Sequence, residues 1–168
     1  MLGVTMSARA PKKTQAVRLL ESKGITHRVT VYDDAGAFHT GEEAAALVGA
    51  PVEAVYKTLV VLREPPSGRR LLVIVPVAGQ VNLKALAAEQ GEKRLRMATQ
   101  KEAEKLTGMQ VGGISALAVA EGGFDVLIDE TARSLEVIHV SAGARGVDVE
   151  LAVADLVRLT NASYTTAT

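Results

Sequence analysis

A single lysine interrupts an apolar, strand-forming stretch, Val55-Tyr56-Lys57-Thr58-Leu59. A lysine at a strand mouth admits two readings. It can be an edge charge that discourages aggregation between strands, or a fixed cation offered to a phosphate or a developing oxyanion. Two glycine-bearing segments lie downstream. Val111-Gly112-Gly113-Ile114-Ser115 is either a plain turn or a loop whose backbone approaches a ligand and aims amides at it. Ser141-Ala142-Gly143-Ala144-Arg145-Gly146 runs on into Val147-Asp148-Val149-Glu150. It is either a flexible hairpin or the small-residue floor of a pocket in which Asp148 accepts hydrogen bonds from an amine or ribose. A basic cluster, Lys93, Arg94 and Arg96 with Lys84, Lys101 and Lys105 nearby, is a solvated face or a contact for RNA phosphates.

What is missing narrows the chemistry. The chain has no cysteine, which excludes a thiol nucleophile, a disulfide framework and a thiolate zinc site. Its three histidines, His27, His39 and His139, are far apart and lack ligand spacing. His139 sits in an apolar alternating run and reads as a satisfied or exposed strand residue. There is no GxGxxG or Walker A pattern, and Gly113-Ile114-Ser115-Ala116-Leu117 lacks the last glycine of a GxSxG elbow. No metal and no cofactor are therefore expected. Lys+Arg and Asp+Glu both number 19, whereas a protein gripping nucleic acid alone through many phosphates carries a basic excess. A nucleic-acid substrate would have to be touched lightly or shared with a partner.

The elements that must position these residues follow from composition and patterning. Hydrophobic residues make up 48% of the 168 and aromatic ones 3%, which is one aliphatic core in one domain. No run has the length of a membrane span or a signal-peptide core, so the expected location is cytoplasmic. Residues 1–13 read as a disordered basic segment, 14–160 as the domain and 161–168 as a loose tail. A first helix is expected over 14–23. A strand follows over 27–32, with Val29 and Val31 opposite Arg28, Thr30 and Tyr32. Thr40-Gly41-Glu42-Glu43 and Thr99-Gln100-Lys101-Glu102 are capping boxes, opening helices that end at Gly49 and Gly108. Strands over 58–62 and 71–76 form a hairpin around Pro65-Pro66-Ser67-Gly68. Asn82 caps a helix over 83–89, and further strands fall at 93–97, 124–129, 135–141 and 149–151 before a last helix at 153–159. Strands grouped in pairs and threes imply an α+β domain with a mixed sheet flanked by helices, not a doubly wound one.

Taken in order, these segments resemble the YbaK-type aminoacyl-tRNA deacylases, relatives of the editing domain of prolyl-tRNA synthetases. The resemblance is carried by Thr14-Gln15-Ala16-Val17, Val55-Tyr56-Lys57-Thr58-Leu59 and Pro76-Val77-Ala78-Gly79-Gln80-Val81-Asn82-Leu83-Lys84. It continues through Thr107-Gly108, Val111-Gly112-Gly113-Ile114-Ser115, Val140-Ser141 and Arg145-Gly146-Val147-Asp148-Val149-Glu150-Leu151. It spans roughly residues 14–159 and is strongest toward the free-standing cysteinyl-tRNA(Pro) deacylases. It implies a barrel-like mixed sheet, no cofactor, an aminoacyl-tRNA substrate and prolyl-tRNA synthetase as a partner. Lys57 falls on the family's essential lysine, placed to hold the terminal adenosine's phosphate or the ester. Thr58 follows it as in the family, and Tyr32 falls on a pocket tyrosine. Gly112, Gly113 and Ile114, with Ser115, fall on the loop that holds the ester carbonyl. Ser141, Gly143 and Asp148 fall on positions lining the amino-acid end. Ala116 and Ala142 depart from the family's usual Pro and Gly, and they bear on substrate preference.

The implied chemistry is substrate-assisted cleavage of the aminoacyl ester, with the amides of Gly113 and Ile114 polarising the carbonyl and Lys57 aligning the substrate. Removal of cysteine from tRNA(Pro), and from tRNA(Cys) as a further substrate, is the expectation. The alternatives are a deacylase for another small amino acid such as alanine, or a non-catalytic module that binds charged tRNA or a synthetase.

Overall fold

The computed structural model describes residues 13–33, 39–119 and 122–168. Local signals set the helix starts. Thr14 caps α1 (Gln15–Ser22), its side chain accepting from the Val17 amide, and Asn82 caps α3 (Leu83–Glu89) through the Ala85 amide. Thr40 and Thr99 complete reciprocal capping boxes with Glu43 and Glu102 at α2 (Gly41–Val48) and α4 (Gln100–Thr107). Gly49 and Gly108 stop these two helices in the left-handed conformation. The last helix, α5, spans Val153–Thr160.

The strands are β1 (His27–Val31), β2 (Tyr56–Arg63), β3 (Arg70–Pro76), β4 (Leu95–Met97), β5 (Phe124–Asp129), β6 (Val137–Ser141), β7 (Val147–Ala152) and β8 (Ser163–Thr165). They form two sheets. One has five strands in the order β4-β2-β3-β5-β8, antiparallel from β4 to β3 and parallel from β3 to β8. The other is an antiparallel β1-β7-β6 sheet. Among the described residues one parallel bridge, between Val55 and His139, joins them. The domain is thus α+β and mixed as expected, with the strands divided into two plates that meet at a seam.

The main core lies between the plates. Leu72 and Ile74 of β3, Val126 and Ile128 of β5, and Ile138 and Val149 of the smaller sheet pack there with Leu20 of α1 and Leu156 of α5. The other side of the large sheet, Val61, Leu71, Val73 and Val75, is covered by Leu86 of α3. Leu71 through Val75 are therefore buried on both faces, which is why β3 reads as a continuous apolar run and not as an alternation.

Two expectations change. Val29 and Val31 remain 37% and 40% exposed, because β1 is the outer strand of the small sheet and nothing described covers that edge. The tail expected to be loose over 161–168 is held. β8 pairs with β5, Arg133 stacks over the Tyr164 ring at 3.9 Å, and Asp129 Oδ1 accepts from the amides of Ala167 (2.8 Å) and Thr168 (3.1 Å). Thr131 Oγ1 donates to Asp129 Oδ2 at 2.6 Å, so the buried Tyr56 hydroxyl must be the donor in its 2.8 Å contact with Thr131 Oγ1. Burial pushes the Asp129 carboxyl up, but the bonds from Thr131, Ala167 and Thr168 outweigh it and hold the carboxyl below its usual range. Of the segment expected to be disordered, only Lys13 lies within the described residues; its ammonium meets Glu21 at 2.8 Å.

Candidate active site

Side chains alternate along β2. Tyr56 and Val60 belong to the core between the plates, whereas Leu59 and Val61 belong to the opposite layer. Lys57 shares the side of Leu59, and Thr58 turns to the other side, where it is 9% exposed. The two residues expected to act together are thus separated by the strand itself.

The seam supplies Lys57 with different neighbours. β2 and β6 run parallel where Val55 bridges His139, so the same step of two residues leads to Lys57 on one strand and Ser141 on the other. Ser141 pairs with Asp148 of β7, and Asp148 with Thr30 of β1. Lys57, Ser141 and Asp148 therefore follow one another across successive strands on one face. Tyr32 borders this face: its ring packs against the cluster of Ala45, Val48 and Val55, and its amide donates to Gly146 O at 2.8 Å.

Lys57 is half-buried, and its ammonium makes no hydrogen bond or ion pair with a described residue. Burial pulls its pKa below the ordinary lysine value. Asp148 is 4% exposed, and burial pushes its carboxyl up against the opposing hydrogen bond from His139 Nδ1 at 3.0 Å. The other ring nitrogen of His139 meets Glu150 Oε2 at 3.1 Å, and that oxygen also accepts from Arg28 at 3.0 Å. Of the two strand readings for His139, the satisfied one holds. Its link to Asp148 was missed. The signal was there: a hairpin of 137–141 with 147–152 sets His139 opposite Glu150 and diagonal to Asp148.

The paired glycines meet the turn between β6 and β7. A methyl group on Gly113 would lie 2.6 Å from Arg145 N and 2.7 Å from the Ala144 carbonyl carbon. Only glycine permits that approach. The Gly113 amide, however, donates to Gln110 O at 2.8 Å. It is spent on its own turn, which corrects its expected part in polarising a carbonyl; the Ile114 amide has no described acceptor. The Ile114 side chain belongs to the main core, and Ser115 is buried with Oγ accepting from the Leu117 amide. Gly112 takes φ +93° beside the Arg145 side chain. Gly143, whose amide donates to Ser141 Oγ at 3.4 Å, lines a cavity of about 380 Å³ with Thr14, Gln15 and Met109, and neither Lys57 nor Asp148 lines it. Ala116 and Ala142, the two departures from the family pattern, are both buried in the main core. Ala142 therefore does not narrow the Lys57 face.

Within the basic cluster the two arginines meet carboxylates, Arg94 approaching Glu64 at 3.8 Å and Arg96 held more closely. Arg96 forks onto Glu102 at 2.8 and 2.9 Å and reaches Glu64 at 3.1 Å. The Arg96 bonds, with the Thr99 amide, bring the Glu102 pKa down to about 2. Among the described residues no group of three or more His, Asp or Glu side chains could hold a metal ion, and no helix is long and apolar enough to cross a membrane.

Residues 35–159 match the aminoacyl-tRNA editing domain family. The chain belongs to that family. A relative from Enterococcus faecalis, EbsC, provisionally named a Cys-tRNA(Pro)/Cys-tRNA(Cys) deacylase, is 28% identical over 156 residues and covers 93% of each chain. Two solved structures share the fold. One is the hypothetical protein APE2540, with a TM-score of 0.79 and 24% identity over 91% of this chain and 98% of that one. The other is provisionally described as a trans-editing enzyme for prolyl-tRNA synthetase, with a TM-score of 0.78 and 24% identity over 96% of this chain and 99% of that one. The expected family and the mixed α+β editing fold are thus both found.

Proposed function

We propose that this editing domain cleaves the ester of Cys-tRNA(Pro), with Lys57 as the residue that anchors the substrate. The observation that carries this reading is the half-buried Lys57 ammonium, which has no described counter-charge and faces the same side of the seam as Ser141 and Asp148. A cation kept partly from water without an anion is costly unless something negative arrives. The terminal phosphate of a tRNA, or the oxygen of a breaking ester, supplies that charge. Asp148 then meets the amino end of the aminoacyl group, Ser141 and Tyr32 border it, and the Ile114 amide is the remaining backbone donor for the carbonyl.

The cysteine preference is supported by the name of the Enterococcus faecalis relative and by the absence of a thiol in this chain. The sulfur comes from the substrate: its thiol attacks its own carbonyl, the C–S bond forms as the ester C–O bond breaks, and the thiol proton passes to the leaving ribose oxygen. The cleaved tRNA departs with a free hydroxyl and cysteine leaves as a cyclic thioester. Equal numbers of acidic and basic residues favour a tRNA grip shared with prolyl-tRNA synthetase.

The test incubates the protein with Cys-tRNA(Pro), Ala-tRNA(Pro) and Ser-tRNA(Pro), alone and with the synthetase. Selective loss of the cysteinyl ester is expected, with Lys57→Ala slower by about 100-fold or more. Equal release of alanine would overturn the thiol chemistry, an unimpaired Lys57→Ala the anchor, and no release from any ester the enzyme reading in favour of a binding module.

A further inference from the structure

His139 is buried, and each of its ring nitrogens faces a carboxylate oxygen: Nδ1 lies 3.0 Å from Asp148 and Nε2 lies 3.1 Å from Glu150. The Nδ1 contact with Asp148 has hydrogen-bond geometry, whereas Nε2 only lies close to the Glu150 carboxylate. Arg28 meets Glu150 from β1 by donating to it at 3.0 Å. On the other flank of β6 stands Val55, with Lys57 as the next charged residue of β2.

We propose that His139 is a positioning residue for Asp148, its Nδ1 holding that carboxyl in place while Glu150, itself held by Arg28, flanks the other side of the ring. This rests on the reading in which Asp148 meets the amino end of the substrate. His139 itself touches no substrate: it is buried, with Nδ1 on Asp148 and Nε2 against Glu150.

Two substitutions separate positioning from simple packing. His139→Phe keeps a ring and removes both nitrogens. His139→Asn sets an amide N–H near the place of Nδ1, restoring the donor to Asp148. For Cys-tRNA(Pro) deacylation, His139→Phe is expected to lower kcat/KM by about ten- to a hundredfold, the loss of one charged hydrogen bond. His139→Asn is expected to recover most of that loss. Wild-type kcat/KM in His139→Phe, or an Asn variant as slow as the Phe variant, would overturn the proposal. Proton NMR tests the bond without any substrate. A slowly exchanging downfield Nδ1 proton is expected in the wild type and is lost in His139→Phe; its absence from the wild type overturns the proposal. A wild type that deacylates nothing but shows that proton would sink the substrate reading and leave the bond standing.

Discussion

The close approach of two loops makes Gly113→Ala a demanding test. The added methyl carbon would stand 2.6 Å from Arg145 N, 2.7 Å from the Ala144 carbonyl carbon and 3.0 Å from Ala144 Cα. All three are backbone atoms, so no side chain can swing away. Ordinary contact begins near 3.4 Å, and the 112–115 loop and the β6–β7 turn must part by roughly an ångström. Such overpacking costs about 1–3 kcal/mol, which in a domain of this size lowers Tm by about 2–12 °C. Parting the loops also moves the Ile114 amide away from Asp148 on β7, and misplacement on that scale costs about 100-fold in rate. The assay pairs thermal unfolding with single-turnover deacylation of Cys-tRNA(Pro). Gly112→Ala serves as the comparison: its φ of +93° brings conformational strain, but the nearest foreign atom is a side-chain nitrogen at 3.5 Å. It is expected to lose about 1 kcal/mol and to keep the loops together. A Gly113→Ala protein that melts with the wild type and cleaves at the wild-type rate would refute the packing argument.

Two further outcomes follow from charge. Lys57→Met is expected to leave the fold as stable as the wild type or more so, because it removes a half-buried ammonium that no described group balances. The folded pKa of Lys57 lies below its unfolded value, so the wild type should gain on the Met variant as pH rises toward 10.5; a wild-type advantage at neutral pH would count against this. Asp129→Asn should loosen β8, detected as faster amide exchange at Ala167 and Thr168. The depressed folded pKa of Asp129 means that its stabilisation is complete above the unfolded value near 3.8 and is lost as pH falls through the folded value. The Tm gap between wild type and variant should therefore close in acid, and a gap independent of pH would refute the assignment.

How far the sequence carried these conclusions depended on the range of each signal. The helix starts at Thr14, Thr40, Asn82 and Thr99 were legible because a cap is a contract between residues three apart. β8 was not, since three residues become a strand only by pairing with β5, more than thirty positions earlier. The alternation of Val29 and Val31 reported a strand correctly but could not report that it lay at an edge. Thr58 shows the opposite case: period-two alternation already placed it away from Lys57, and the family pattern drew it back. The commitment of the Gly113 amide to Gln110 and the missing counter-charge at Lys57 both arise from tertiary geometry. No local pattern encodes either.

The seam between Val55 and His139 has a consequence for how a preference in such a domain could be altered. The residues proposed to hold the two ends of the substrate ride on different plates, Lys57 on the larger and Asp148 on the smaller, and the Val55–His139 pairing registers one against the other. The span between them works like the gap of a calliper: a small tilt of one plate changes it while every side chain stays the same. Substitutions in the layer beside the seam, at Ala45, Val48 or Val77, would retune the length of acyl group accepted without replacing a residue proposed to meet it.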